Sequence, residues 1–211
     1  MKLGEIKIEA LKLMFANYNT DIDIDKIVDL YDDENYGYYL VNMNGSINRC
    51  FSALEEKLVL PSKSVVLDSL QAEISKGKMR FNLDVVLDNF FAIDRVIYEN
   101  DYGEYNGNIN FEMEGNTLVL PEIGIRENYR LLYKPTLVRV NSDTEETTEI
   151  DVPNSIATNI PYFIKGDLYR DDEPNEASEA RNWFEQAMAE LHSKQDTNMN
   201  RVDTYFSQTE I

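Results

Sequence analysis

"GYYLVNMNGSINRCFSALEEKL", residues 37–58, is the stretch whose reading decides the fold. Its apolar positions are Leu40, Met43, Ile47, Cys50, Phe51, Leu54 and Leu58, a run of three- and four-residue steps that keeps one helical face apolar. At 3.6 residues per turn this predicts a core helix of about six turns. Gly45 inside it weakens local helicity and predicts a kink or a close backbone approach. Cys50 lies on the apolar stripe, which makes it a buried, inert thiol rather than a nucleophile. Pro61 then stops the helix.

Outward from this helix, more helix is expected on the N-terminal side. Residues 3–16 carry Leu3, Ile6, Ala10, Leu13 and Met14 at helical spacing. Ile8, Leu11 and Phe15 form a second stripe, so this helix is expected to be buried on more than one side. Asp23 or Asp25 can cap a short helix carrying Ile24, Ile27, Val28 and Tyr31. The spacing Asp21, Asp23, Asp25 also resembles the first half of a calcium loop. Lys26 stands where that loop needs Gly and Asp32 where it wants Glu, so capping is the favoured reading.

On the C-terminal side the texture changes. "SVVLD" is β-branched, "MRFNLDVVL" alternates Phe81, Leu83, Val85 and Leu87, and "AIDRVIY" follows. "NINFEMEGNTLVL" reads as two strands, with Ile109, Phe111 and Met113 before a Glu-Gly-Asn turn and Leu118 and Leu120 after it. "YRLLYKPTLVRV" is a further strand in which Pro135 suggests an edge or a bulge. A small antiparallel sheet or sandwich of five or six strands is expected over 62–140. Residues 141–149, "NSDTEETTE", carry no packing signal.

Helix then returns. Ile156, Ile160, Phe163 and Ile164 share a face, and Pro161 requires either a kink or a helix start near Asn159. An acidic turn closed by Pro174 leads to a helix striped with Ala177, Ala180, Phe184, Ala187, Met188 and Leu191. Glu176 and Glu179 lie in its first turns and His192 and Lys194 in its last, as the helix dipole favours. Residues 195–211 are polar with scattered apolar side chains and read as a tail, disordered alone or ordered against a partner. The fold class is α+β. Helices near 3–16, 37–58, 155–169 and 176–193 form a bundle frame around an inserted antiparallel β-sheet or sandwich, with an extended C-terminal tail. In domain terms, 1–61 and 151–194 make a discontinuous helical domain, 62–150 the β insert and 195–211 the tail.

A chain of 211 residues can bury a real core, and its net charge of −19 disfavours nucleic-acid binding. No apolar run reaches the roughly 18–20 residues of a membrane span. The charged N-terminus lacks the apolar segment of a secretory signal, and a lone cysteine excludes an internal disulfide, so cytosolic synthesis is expected. No nucleophile elbow, phosphate-cradling glycine loop or paired-cysteine zinc signature is present. One His cannot build a His-containing ligand cluster, and His192 at a helix end reads as solvated. Carboxylates abound, but nothing in their spacing selects a hydrolytic pair. No catalytic residue, cofactor or metal site is assigned. Trp183 flanks the Phe184–Met188–Leu191 stripe; it either edges the core or anchors a subunit contact.

Two stretches resemble the head–tail connector proteins of tailed bacteriophages. "NYGYYLVNMNGSINRCFSALEEKLVLPSK" is similar to their second long helix, in the aromatics before Leu40, in "MNGSINR" at 43–49, in "LEEK" at 54–57 and in the stop at Pro61. "IPYFIKGDLYRDDEPNEASEARNWFEQAMAEL" is similar to their closing hairpin, an Ile-Pro helix, an acidic turn and an Arg-Asn-x-Phe-Glu helix. The two cover about 60 residues, in the family's order. The resemblance implies a non-enzymatic virion protein, made in the host cytoplasm, that forms a ring of about twelve copies on the portal protein. The ring extends the DNA channel towards a downstream tail or stopper protein, and its acidic wall lets DNA pass without adhering. The family's C-terminal segment engages the portal or a neighbouring subunit. That makes Met199, Val202, Tyr205, Phe206 and Ile211, with Trp183, the candidate contact residues. Alternatives are another neck or tail-completion protein, a glycan- or protein-binding module carried by the β insert, and a carboxylate hydrolase.

Overall fold

In a computed structural model of the chain, residues 1–15, 24–99, 105–123 and 128–206 are described, with backbone alone at 24–25, 99, 105–108 and 194–206. In chain order the elements are α1 (Leu3–Met14), a 3-10 segment (Ile24–Asp32), α2 (Gly37–Glu56) and β1 (Lys63–Leu67). A 3-10 turn (Ser69–Gln71) precedes β2 (Glu73–Ser75), β3 (Lys78–Asn82), the single turn α3 (Leu83–Val86), β4 (Ala92–Glu99) and β5 (Tyr105–Asn108). Then come β6 (Glu112–Glu114), β7 (Thr117–Pro121), β8 (Asn128–Lys134), the turn α4 (Asn154–Ala157), α5 (Ile160–Leu168) and α6 (Pro174–Phe206). The fold is α+β. The chain divides into two compact units, Met1–Val59 with Val138–Ile211, and Leu60–Leu137.

In the helical unit, α5 is central and packs on α1, α2 and α6. The expected stripe of α2 is its buried face: Leu40, Met43, Ile47, Cys50, Phe51 and Leu54 are all at 0% exposure. Leu58 departs from it. The helix ends at Glu56, ahead of Pro61, and Leu58 turns left-handed at φ 54° with 38% exposure. Leu58 N donates to Glu55 O and Val59 N to Leu54 O, the double closure of a Schellman ending with leucine in glycine's usual place. Gly45 lies in unbroken helix, where an added Cβ would meet only the Arg49 Nη1 atom at 3.4 Å; no backbone approaches it. The close approach is instead at Gly166, where a Cβ would stand 3.0 Å from Ala177 O, so α5 and α6 meet backbone to backbone.

α1 is buried on several sides, as its two stripes predict: Leu3, Ile6, Ile8, Ala10, Leu11 and Met14 are all buried. Both of its ends are closed by distant segments. Leu3 N and Gly4 N donate to Thr148 O and Glu146 O, each at 2.9 Å. Lys165 Nζ donates to Leu13 O and the Tyr169 hydroxyl to Met14 O at 2.6 Å. The segment 141–149 is therefore structural, contrary to the expectation of an unpacked loop, because its carbonyls satisfy helix donors that have no intrahelical partner. Val140 is held in the same unit by paired hydrogen bonds with Asn48, which places 138–150 with the helices rather than with the β insert. Pro161 sits in the first turn of α5, so the alternatives of kink and helix start resolve to a start. α6 does not stop near 193 but continues to Phe206, and where an extended tail was expected the backbone at 195–206 is helix.

The β unit holds eight described strands in two antiparallel sheets, ordered β1-β8-β4-β5 and β2-β3-β7-β6. Both contribute to one core that includes Leu67, Phe81, Val96, Leu118, Tyr129 and Leu131. The Glu-Gly-Asn turn is present between β6 and β7, with Gly115 at φ 63°. The stretch "MRFNLDVVL" splits: β3 ends at Asn82, whose side chain accepts from Asp84 N and starts α3, leaving Val85 77% exposed. β8 is an interior strand that ends at Lys134, directly before Pro135, so the proline terminates a strand and does not mark an edge.

Candidate interaction surface

α6 presents two faces with different fates. Ala177, Ala180, Phe184 and Met188 are buried, and Phe184 meets Phe163 of α5 edge-on at 5.1 Å. One position earlier, about 100° round the helix, Trp183 is 64% exposed. Its ring lies over Tyr162 at 6.4 Å with 30° between planes, so two aromatics form a small outward platform. An exposed Trp backed by a second ring is the kind of rigid apolar anchor that concentrates binding energy. α6 carries Met199, Val202, Tyr205 and Phe206 on its continuing backbone, but their side chains, and Ile211 altogether, lie outside the described residues. Among the candidate contact residues, Trp183 is thus the one whose side chain is described.

His192 is exposed and stands within the helix, because α6 continues past it; it is not a helix-end charge. Cys50 is at 0% exposure, and burial raises its thiol pKa well above the ordinary range, with Asp167 adding to the shift; this is the inert thiol expected. Of the aspartates spaced like a calcium loop, Asp21 and Asp23 lie outside the described residues, as does the Asp25 side chain. Among the described residues no group of three or more His, Cys, Asp or Glu could hold a metal ion. Among them, too, no helix is long and apolar enough to cross a membrane.

The polar centre of the helical unit is one that the sequence did not disclose. Lys7, at 0% exposure, donates to Glu146 Oε1 at 2.6 Å and to the Tyr31 oxygen at 2.8 Å. The Tyr31 hydroxyl donates to the same Glu146 oxygen at 2.6 Å. Burial lowers the Lys7 pKa, with Glu146 pulling the other way. Burial, then the Glu146 hydrogen bond and charge, hold the Tyr31 hydroxyl far above its ordinary range. The only sequence trace is Lys7 itself, flanked by Ile6 and Ile8 on a helix apolar on several sides. The arrangement ties α1, the 3-10 segment and the 141–149 segment together, and it reads as structural.

Two ion pairs join the stretches that carry the family resemblance. Arg49 on α2 pairs with Asp167 on α5, its Nε donating to Oδ2 at 3.0 Å, and Lys57 just after α2 pairs with Glu185 on α6. No family model matches this chain, and no curated protein matches it either.

Proposed function

We propose that this chain is a non-enzymatic head–tail connector of a tailed bacteriophage. In this reading it forms a ring of about twelve copies, closed by heterologous contacts between neighbours. The ring sits on the portal protein, receives a downstream tail or stopper protein and continues the DNA channel. The observation that carries the proposal is the packing of the two resembling stretches against each other. "MNGSINR" and "IPYFIKGDLYR" meet through Arg49 and Asp167, 118 positions apart, while "LEEK" and the closing helix meet through Lys57 and Glu185, 128 positions apart. The Trp183–Tyr162 platform supports it further as an anchor for a neighbouring subunit. The net charge of −19 suits a channel through which DNA slides, because like charge repels the phosphates.

The test is electron microscopy of the purified chain, alone and mixed with the portal protein encoded beside it. Rings are expected, with Trp183→Ala reducing their fraction. A chain that stays monomeric at high concentration and does not bind that portal overturns the proposal.

A further inference from the structure

The helical unit carries an open groove of about 680 Å³, within the range of roughly 300–1,000 Å³ usual for ligand sites. Its walls are the 3-10 segment, α2 and the 142–147 segment. Ile27 lies fully buried on the apolar wall, while Val28 and Val41 stand 67% and 66% exposed. The 142–147 wall contributes Asp143, Glu145 and Glu146, the last paired with Lys7, and no lysine or arginine is among the described lining residues. Asp143 and Glu145 form no ion pair among the described residues; they accept only from the neighbouring Ser142 and Thr147 hydroxyls. Exposed valines and the carboxylates of Asp143 and Glu145 lining one groove describe a site for a hydrogen-bond donor on an aliphatic stem.

The geometry points to a docking groove for a basic amphipathic segment of another protein. Its lysine or arginine stems lie on Val28 and Val41 and its cationic heads meet Asp143 and Glu145. Charge complementarity selects this occupant. The described lining offers the carboxylates of Asp143 and Glu145 and no cation, so a basic segment gains at each of these contacts. The inference does not depend on ring formation or on the portal.

The probe is a fluorescent 14-residue peptide of leucine and lysine at helical spacing, titrated into the full chain at about 150 mM salt, where long-range attraction is screened beyond about 8 Å. The same peptide with glutamate for lysine, and hexylamine, are the comparison ligands. The decisive variant is Val41→Asp. It adds negative charge, so non-specific attraction would strengthen, but it destroys the apolar seat. A loss of about tenfold in affinity is expected for it, and a similar loss for Asp143→Asn with Glu145→Gln. Thermal unfolding checks that these exposed-site variants stay folded. Several results overturn the inference: no binding of the lysine peptide, equal binding of the glutamate peptide, or undiminished binding by Val41→Asp. Hexylamine binding as tightly as the peptide would make this a small-amine site instead. Self-association abolished by Val41→Asp would assign the groove to a second copy.

Discussion

Leu58 and Lys7 are the two residues whose placement departs furthest from their side-chain chemistry. Leu58 occupies the left-handed region at φ 54°, which costs an L-residue with a Cβ roughly 1–2 kcal/mol. It is already 38% exposed, so little packing is lost on its removal. Leu58→Gly is expected to stabilise the chain by about 1 kcal/mol, read as a raised urea midpoint at unchanged slope. Lys7 is the opposite case, a charge held without water. Lys7→Met leaves Glu146 sheltered with only the Tyr31 hydroxyl as donor and is expected to cost about 3 kcal/mol. The double variant Lys7→Met, Glu146→Gln should recover part of that loss, because the stranded charge goes too. A double-variant cost equal to the sum of the Lys7→Met and Glu146→Gln costs would mean that the pair is not coupled. Neither residue was legible in this role. Leu58 continues the apolar stripe, and a lysine on a helix reads as solvated until the 141–149 segment covers it.

At the scale of elements, periodicity located helices better than it ended them. α5 and α6 start where Pro161 and Pro174 put them, and the buried faces of α2, α5 and α6 are the ones the spacing predicts. The far end of α6 was not legible, because residues after 193 are mostly polar, with Met199, Val202, Tyr205 and Phe206 read as scattered apolar side chains. Its last described fully packed side chain is Met188, at 1% exposure. Deleting 196–211 is accordingly expected to leave stability unchanged within about 0.5 kcal/mol, measured by urea unfolding, while weakening association with any partner that uses the overhang. A truncated chain that fails to fold would place part of the core beyond residue 195. The strand misreading at 83–87 has a local cause. Leu83, Val85 and Leu87 alternate as a strand should, but Asn82 accepts from Asp84 N and commits the chain to a helical turn first.

For the whole molecule, the buried ionisable groups set the response to alkaline pH. Cys50, Tyr31 and Tyr169 all have raised pKa values in the folded chain, that of Tyr169 pushed up to about 12 chiefly by burial. A raised group keeps its full contribution below its unfolded pKa and loses it as pH rises towards the folded one. Stability should therefore begin to fall near pH 9, the ordinary value of 9.0 for the thiol, and fall more steeply from about pH 10 to 12 as the tyrosines join. Lys7 works against this, since its lowered pKa makes folding easier as pH approaches its ordinary 10.5. Chemical-denaturation midpoints from pH 8 to 11 measure the sum. Cys50→Ala should flatten the segment between pH 9 and 10, and an unchanged slope there would show that the thiol does not ionise on unfolding.

The sequence by itself determined the α+β class, the buried faces of α1, α2, α5 and α6, the Glu-Gly-Asn hairpin and the inert cysteine. Each of these follows from spacing along a single element, which is a property of neighbours in the chain. Only the tertiary structure decided that 141–149 closes α1, that Lys7, Tyr31 and Glu146 share one hydrogen-bonded centre, that Arg49 meets Asp167, and that Val28 and Val41 line one groove with Asp143 and Glu145. Those are meetings of residues up to 145 positions apart, as Leu3 and Thr148 are. Backbone carbonyls and polar side chains have no period that would announce such partners in advance, because what selects them is the need to satisfy donors and charges after the apolar faces have packed.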